Sequence, residues 1–174
     1  YELAKAREQE LLAELTALLQ IESVLDEATA SDEAPFGKGP KAALDFMLAK
    51  GAAEGFAVKN VDNMAGHIEM GEGEELLGIL CHVDVVPAGD LSTWTYPPFE
   101  GRIVDGRLYA RGAIDDKGPT MAAWLAMKLV KDAGVPLSKR VRMIIGTDEE
   151  TDFRCVDRYF EKEEMPSIGF APDA

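Results

Sequence analysis

Two rhythms of apolar residues alternate along the chain, and each change of rhythm marks a change of element. From Glu2 to Gln20, Leu3, Leu11, Leu12, Leu15, Leu18 and Leu19 make a stripe among Glu, Lys and Arg, which predicts a helix. Ser23 to Lys38 is polar and rich in Asp, Glu, Pro and Gly, so it reads as a loop. Pro40, at a first helical position, opens a second helix through Ala42, Leu44, Phe46, Met47 and Leu48, ending at Gly51 or Gly55. The period then shortens. Phe56 to Val61 and Ala65 to Met70 read as strands. After the Gly71-Glu72-Gly73 turn, the bounded apolar run from Leu76 to Cys81 suits a buried strand ending at His82.

Pro87 to Gly101 is an irregular loop whose Trp94, Tyr96, Pro97, Pro98 and Phe99 either pack the chain down, the favoured reading, or line a pocket. Arg102–Val104 and Arg107–Tyr109 flank Asp105-Gly106, a hairpin signature. A helix follows from Pro119 to about Ala133, with Met121, Trp124, Leu125, Met127, Leu129 and Val130 on one broad side and Gly134 at its exit. Lys139 to Gly146 is a strand that runs into Thr147-Asp148-Glu149-Glu150. Asp152 to Glu163 is a short charged helix, and Ser167 to Ala171 a last strand leading to Pro172-Asp173-Ala174. Strands alternating with helices predict an α/β fold, a mostly parallel twisted sheet between helices.

Composition narrows the function classes. The 174 residues are 47% apolar and 29% charged, which describes one globular domain with a real core. A net charge of −14 argues against nucleic acid and anionic membrane surfaces. No run approaches the roughly 20 apolar residues of a membrane span, and the N-terminus carries no basic-then-apolar signal segment. Cys81 and Cys155 make no disulfide framework, so a reducing, cytoplasmic setting is the simplest expectation. Cys81 reads as a buried inert thiol. It is a poor nucleophile for His82 to activate, because adjacent strand residues face opposite ways.

The chemistry gathers where strands end. One predicted strand ends at His82 and Asp84, a second at Glu149 and Glu150, a third at Asp173, and Asp115-Asp116 stands just before a helix. Taken singly, each acid reads as a solvated loop residue, and His82 with Asp84 as an ordinary hydrogen-bonded pair. In a parallel sheet, however, ligands bind outside the carboxyl ends of the strands, and the fold puts all these groups along one edge. Two like charges about 4 Å apart repel by about 4 kcal/mol at an effective dielectric near 20. Such a cluster must take up protons or find a cation, and Lys117 alone does not neutralise it. A divalent metal answers the need. A mixed His and carboxylate set suits zinc, with cobalt or manganese as substitutes. Consecutive extended residues point in opposite directions, so one of Glu149 and Glu150 can bind metal while the other serves as general base. His67, inside a strand without an acidic partner, reads as structural.

Four segments carry a family pattern: Gly78-x-x-Cys81-His82-x-Asp84-Val85-Val86-Pro87-Ala88-Gly89, Ala110-Arg111-Gly112-x-x-Asp115-Asp116-Lys117-Gly118-Pro119, Gly146-Thr147-Asp148-Glu149-Glu150 and Phe170-Ala171-Pro172-Asp173-Ala174. They resemble the dinuclear zinc exopeptidase and deacylase family that includes dipeptidase V, succinyl-diaminopimelate desuccinylase, carboxypeptidase G and aminoacylase, and most of all its dipeptidase V branch. The resemblance implies His82 on one zinc with Asp84 behind the imidazole, Asp115 between two metals and joined to Asp116 by a cis peptide, Glu149 as general base, Glu150 on the second zinc, and Asp173 completing the first. It implies hydrolysis of the peptide bond of dipeptides by a metal-bridged water that Glu149 deprotonates. An N-acyl amino acid deacylase or desuccinylase of the same family is the alternative, and a non-catalytic metal-binding or interaction module the alternative of another class. A small peptide substrate is expected, with the oligomeric state left open. The resemblance also implies that residues 1–174 are the N-terminal portion of a catalytic domain. The lid domain, the rest of the catalytic domain and a second His ligand are expected elsewhere. On that expectation this stretch alone holds at most one metal well and turns over little substrate.

Overall fold

The computed structural model describes residues 2–173, so Ala174 of the last motif lies outside the described residues. The N-terminal stripe forms two helices, α1 (Glu2–Ala6) and α2 (Glu8–Leu19). The single helix expected there is interrupted at Arg7. Its amide bonds back to Ala4, and its guanidinium is drawn out to Asp132 and Glu10. The second helix, α3 (Lys38–Ala53), starts two residues before Pro40, which sits in the first turn where a missing amide hydrogen costs nothing. It passes through Gly51, whose absent side chain lets α3 press on the sheet: a Cβ there would lie 2.8 Å from Val58 and 2.9 Å from Ile68.

Strands β1 (Ala57–Val61), β2 (Ala65–Met70) and β3 (Leu76–His82) come next, then the hairpin β4 (Arg102–Val104) and β5 (Arg107–Tyr109). Helix α4 (Lys117–Asp132), strand β6 (Arg140–Gly146), helix α5 (Arg154–Lys162) and strand β7 (Ile168–Phe170) complete the chain. The main sheet has the order β1-β2-β6-β3-β7. β3 lies parallel to β6 and to β7, with His82 opposite Gly146 and Ile79 opposite Phe170. β2 runs antiparallel to both β6 and β1. The sheet is therefore mixed, and its parallel half is the half that presents His82, Glu149 and Asp173. The antiparallel edge has a local cause. Only Asp62, Asn63 and Met64 separate β1 from β2, far fewer residues than the dozen or so that a parallel crossover needs.

Alternation along the strands divides the core. On one face Ile68, Ile79, Cys81, Met143 and Ile145 pack with Leu18 and Leu19 of α2, Leu44 and Met47 of α3, and Met121 and Trp124 of α4. On the other, Ala65 and Ile144 meet Cys155, Val156 and Tyr159 of α5. Lys128 is buried against the Trp124 ring and ties α4 to Glu10 and to Glu54, the latter at 3.0 Å. Both thiols lie in the core, and burial first of all pushes them up, Cys155 to about 12, so neither supplies a thiolate. Among the described residues no helix is long and apolar enough to cross a membrane.

His67 packs beneath α5, with Nδ1 2.7 Å from the Tyr159 hydroxyl, and Arg142 approaches the same hydroxyl at 3.4 Å. Burial, and then the Arg142 charge, pull its imidazole from 6.5 down to about 4. The unfolded chain gains this proton near pH 6.5 and the folded chain only near 4. The stability present above pH 6.5 is therefore lost as the pH falls through that window. Urea unfolding compared between pH 7 and pH 5 should show roughly 2 kcal/mol of this loss in the parent chain. His67→Gln should lack that increment, and an equal pH response in both would place His67 outside the acid transition.

Candidate metal centre

The site is assembled from the outgoing ends of β3, β6 and β7 and from the turn that starts α4. His82 ends β3 and is only 2% exposed. Its backbone is pinned on both sides. The amide donates to Asp116 Oδ2 at 3.1 Å, and the carbonyl accepts from Thr120 Oγ1 at 3.1 Å. One residue on, the Val83 amide donates to Gly146 at 3.0 Å, which prolongs the parallel ladder past the formal end of the strand. Ser23 closes the next step: its hydroxyl donates to the Val83 carbonyl at 2.6 Å, and its carbonyl accepts from Val85 at 3.1 Å.

These anchors fix the ring. His82 Nδ1 faces the Asp84 carbonyl at 3.1 Å and Asp84 Oδ1 at 3.4 Å. In the neutral imidazole a proton held on Nδ1 by those oxygens leaves the Nε2 lone pair outward, the tautomer a metal ligand needs. Around Nε2 stand Asp115 Oδ1 at 3.1 Å, Glu149 Oε2 at 3.7 Å and Asp173 Oδ2 at 3.8 Å. Asp84 also reaches across to the next strand end, where its Oδ2 accepts the Glu150 amide at 3.1 Å. The Asp115–Asp116 peptide bond is cis, as expected.

Among the described residues, two sets of three could each hold a cation: His82 with Asp115 and Glu150, and His82 with Asp116 and Asp173. In each, one ligand atom from every residue lies within 4.8 Å of the others. All the residues singled out in the sequence thus meet at one edge. Glu149 and Glu150 arrive by a different route from the one expected. They lie in a turn, not in an extended stretch, so both carboxylates swing toward the same basin. Asp116 is the group that sequence reasoning left aside. It is fully buried, and its Oδ1 has no hydrogen-bond partner. The one signal for it was the doubled acid itself, because neighbouring side chains at a helix start leave in different directions and one of the pair can turn inward. Lys117 turns away: its buried ammonium donates to the carbonyls of Leu18 at 3.1 Å and Ile21 at 2.7 Å, closing the C-terminal end of α2.

The electrostatics record the crowding. Burial, and then the neighbouring Asp173, Asp84 and Asp115 charges, raise the Glu149 carboxyl, opposed by His82. Burial, and then Asp115, raise Glu150. Burial drives Asp116 up to about 6 against the hydrogen bond from His82. Burial lowers His82, but the Asp84 hydrogen bond and the surrounding carboxylates outweigh it and lift the imidazole to about 9. One imidazole among carboxylates, with a buried oxygen lacking a donor, is a donor set that fits a divalent ion of the zinc type.

Comparison with known proteins places the chain in a family. Residues 78–171 match the model of the peptidase family M20/M25/M40, a span that includes every candidate ligand except Asp173. The chain belongs to this family. The "Putative dipeptidase YtjP" of Bacillus subtilis is 60% identical over 168 residues, which are 97% of this chain and 36% of that protein. "Putative dipeptidase SACOL1801" of Staphylococcus aureus is 54% identical over 167 residues, 96% of this chain and 35% of that protein. The chain thus spans about a third of the length of the curated relatives it matches. Among solved structures, human carnosine dipeptidase 1 superposes with a TM-score of 0.77 at 23% identity, over 91% of this chain and 36% of that one. The M20 family metallo-carboxypeptidase Sso-CP2 of Sulfolobus solfataricus gives 0.76 at 22%, over 95% and 37%. At such identities the superpositions establish the shared fold.

Because a ligand that binds only the folded chain stabilises it by mass action, excess zinc should raise the melting temperature. The same concentration of magnesium should raise it less, since it takes oxygen ligands and gains nothing from an imidazole. His82→Ala should lose most of the zinc increment in a thermal melt. Equal increments in the variant and the parent would move the site elsewhere.

Proposed function

We propose that the complete protein hydrolyses the peptide bond of dipeptides, with divalent metal, zinc by preference, held in two adjacent positions by His82, Asp115, Glu150 and Asp173. This chain is then the N-terminal part of the catalytic domain, and the remaining ligand and the substrate lid lie in the rest of the polypeptide. The observation that carries the reading is Glu149. Its carboxylate stands 3.7 Å from His82 Nε2, beside both ligand sets yet a member of neither. A pure metal store has no use for such a group, and a hydrolase needs one as general base. The dipeptidase names of the Bacillus and Staphylococcus relatives, and the activity named for the human structure, support the choice of substrate.

When bound, the metal supplies a Lewis acid that polarises the scissile carbonyl and makes water acidic enough to give up a proton at neutral pH. The chain's own residues do the rest. Asp84 keeps the His82 proton on Nδ1, and Asp116 holds the His82 backbone so that the ring cannot tilt. Glu149 takes the proton of the attacking water on its carboxylate and delivers it to the departing amine. Its raised carboxyl suits that exchange, because a base with a pKa nearer the working pH both accepts and returns a proton readily. A reducing, cytoplasmic location fits the two buried free thiols.

Glu149→Gln should lower dipeptide turnover by about 10²–10⁴-fold while zinc content stays within error of the parent. Assays on dipeptides beside N-acetyl and N-succinyl amino acids, with metal analysis of the same samples, read both outcomes at once. Full activity in the variant would exclude Glu149 as base. Turnover confined to the acylated amino acids would exclude the dipeptide.

A further inference from the structure

The turn that carries Glu149 and Glu150 is closed by an ion pair that no step above uses. Asp148, 1% exposed, receives the Arg154 guanidinium as a fork: Nε donates to Oδ2 at 2.7 Å and Nη2 to Oδ1 at 2.8 Å. The same Oδ2 accepts the backbone amide of Arg154 at 3.2 Å, and the Asp148 carbonyl accepts that of Phe153 at 2.9 Å. Phe153 adopts a left-handed φ of 61°, which turns the chain into α5 and aims Arg154 back at the residue it grips. The other side of the guanidinium lies 4.8 Å from the ring centre of buried Phe36, in the segment that leads to α3.

Glu149 and Glu150 therefore hang between two carboxylate anchors. Inside the site, Asp84 holds the Glu150 amide. Outside it, Asp148 is locked to Arg154 and, through the stacked ring, to the body of the domain. A planar bidentate pair fixes orientation as well as distance, which a lysine at the same place does not reproduce. Exposed ion pairs contribute little to stability, and Arg154 is 45% exposed on its outer side, so a purely stabilising role explains poorly why Asp148 is sunk so completely.

We propose that Asp148 and Arg154 form a positioning pair for the hydrolytic site: their forked ion pair sets the turn so that Glu150 reaches the metal and Glu149 reaches the attacking water. The inference rests on the hydrolase reading for Glu149 but not for Glu150, and the two parts are tested separately. In the complete protein, Arg154→Met should lower kcat for a dipeptide about tenfold with KM within about threefold, because a misplaced base slows the reaction without removing substrate contacts. Competition of zinc against a chromophoric chelator should show weaker zinc binding by a similar factor. Arg154→Lys should fall between the two, and it carries the same readouts should the methionine variant not fold. A loss of about threefold or more in either readout supports the pair. Changes below threefold in both overturn it, whatever happens to the melting temperature. A parent protein that binds zinc and cleaves no dipeptide would defeat the functional reading, and the zinc titration would still decide the role of Arg154.

Discussion

Mutual repulsion among carboxylates gathered around a single imidazole is the constraint that shapes this molecule. Asp115, Glu149 and Asp173 approach His82 Nε2 within 3.8 Å, and Asp116 is buried beside the same residue. Ligand atoms of Asp115 and Glu150, and of Asp116 and Asp173, lie within 4.8 Å of each other, and two like charges about 4 Å apart repel by about 4 kcal/mol at an effective dielectric near 20. The group persists because its members are carried by different elements, each anchored for other reasons. β3 and β6 are central strands, α4 is bolted to α2 through Lys117 and Lys128, and the turn after β6 is closed on α5.

The sheet's direction does the positioning. Parallel pairing aligns the ends of β3, β6 and β7, so residues far apart in sequence leave the sheet at one edge. Had β6 run the other way, Glu149 and Glu150 would stand at the opposite edge from His82. The antiparallel β1–β2 hairpin widens the sheet without adding a ligand, and the cluster of His67, Tyr159 and Arg142 beneath α5 settles charge on the face away from the large core. Stability and chemistry are thus kept apart. The buried apolar faces hold the layers together, and the edge gathers the charged groups.

Much of this was legible in the chain because it depends on short-range rules. The apolar run ending at His82, the Asp105-Gly106 hairpin and the Pro119 helix start each follow from local pattern, and all three elements are present within two residues of their expected places. The convergence of His82, Asp115, Glu149, Glu150 and Asp173 followed from one further step, the parallel sense of the strands that carry them. What stayed hidden depends on three dimensions. The break at Arg7 is set by a partner on α4, Asp132, more than a hundred residues away. The mixed sheet turns on the antiparallel placing of β2 against the distant β6, which the alternation of strands and helices does not reveal. Lys117 reads in sequence as a charge near the acids and lies in fact under α2, because only packing decides which way a long side chain leaves its helix. Asp116 and Asp148 both looked like ordinary loop acids, and their burial distinguishes them.

Zinc-edge anomalous diffraction from zinc-loaded crystals of the complete protein tests the central claim most directly, because it locates the ion and does not infer it from activity. Convergence of these side chains on metal predicts a peak about 2.0–2.2 Å from His82 Nε2 and from carboxylate oxygens drawn from Asp115, Asp173 and Glu150. Fully loaded crystals with no peak at His82, or with zinc held by residues away from this edge, would contradict it.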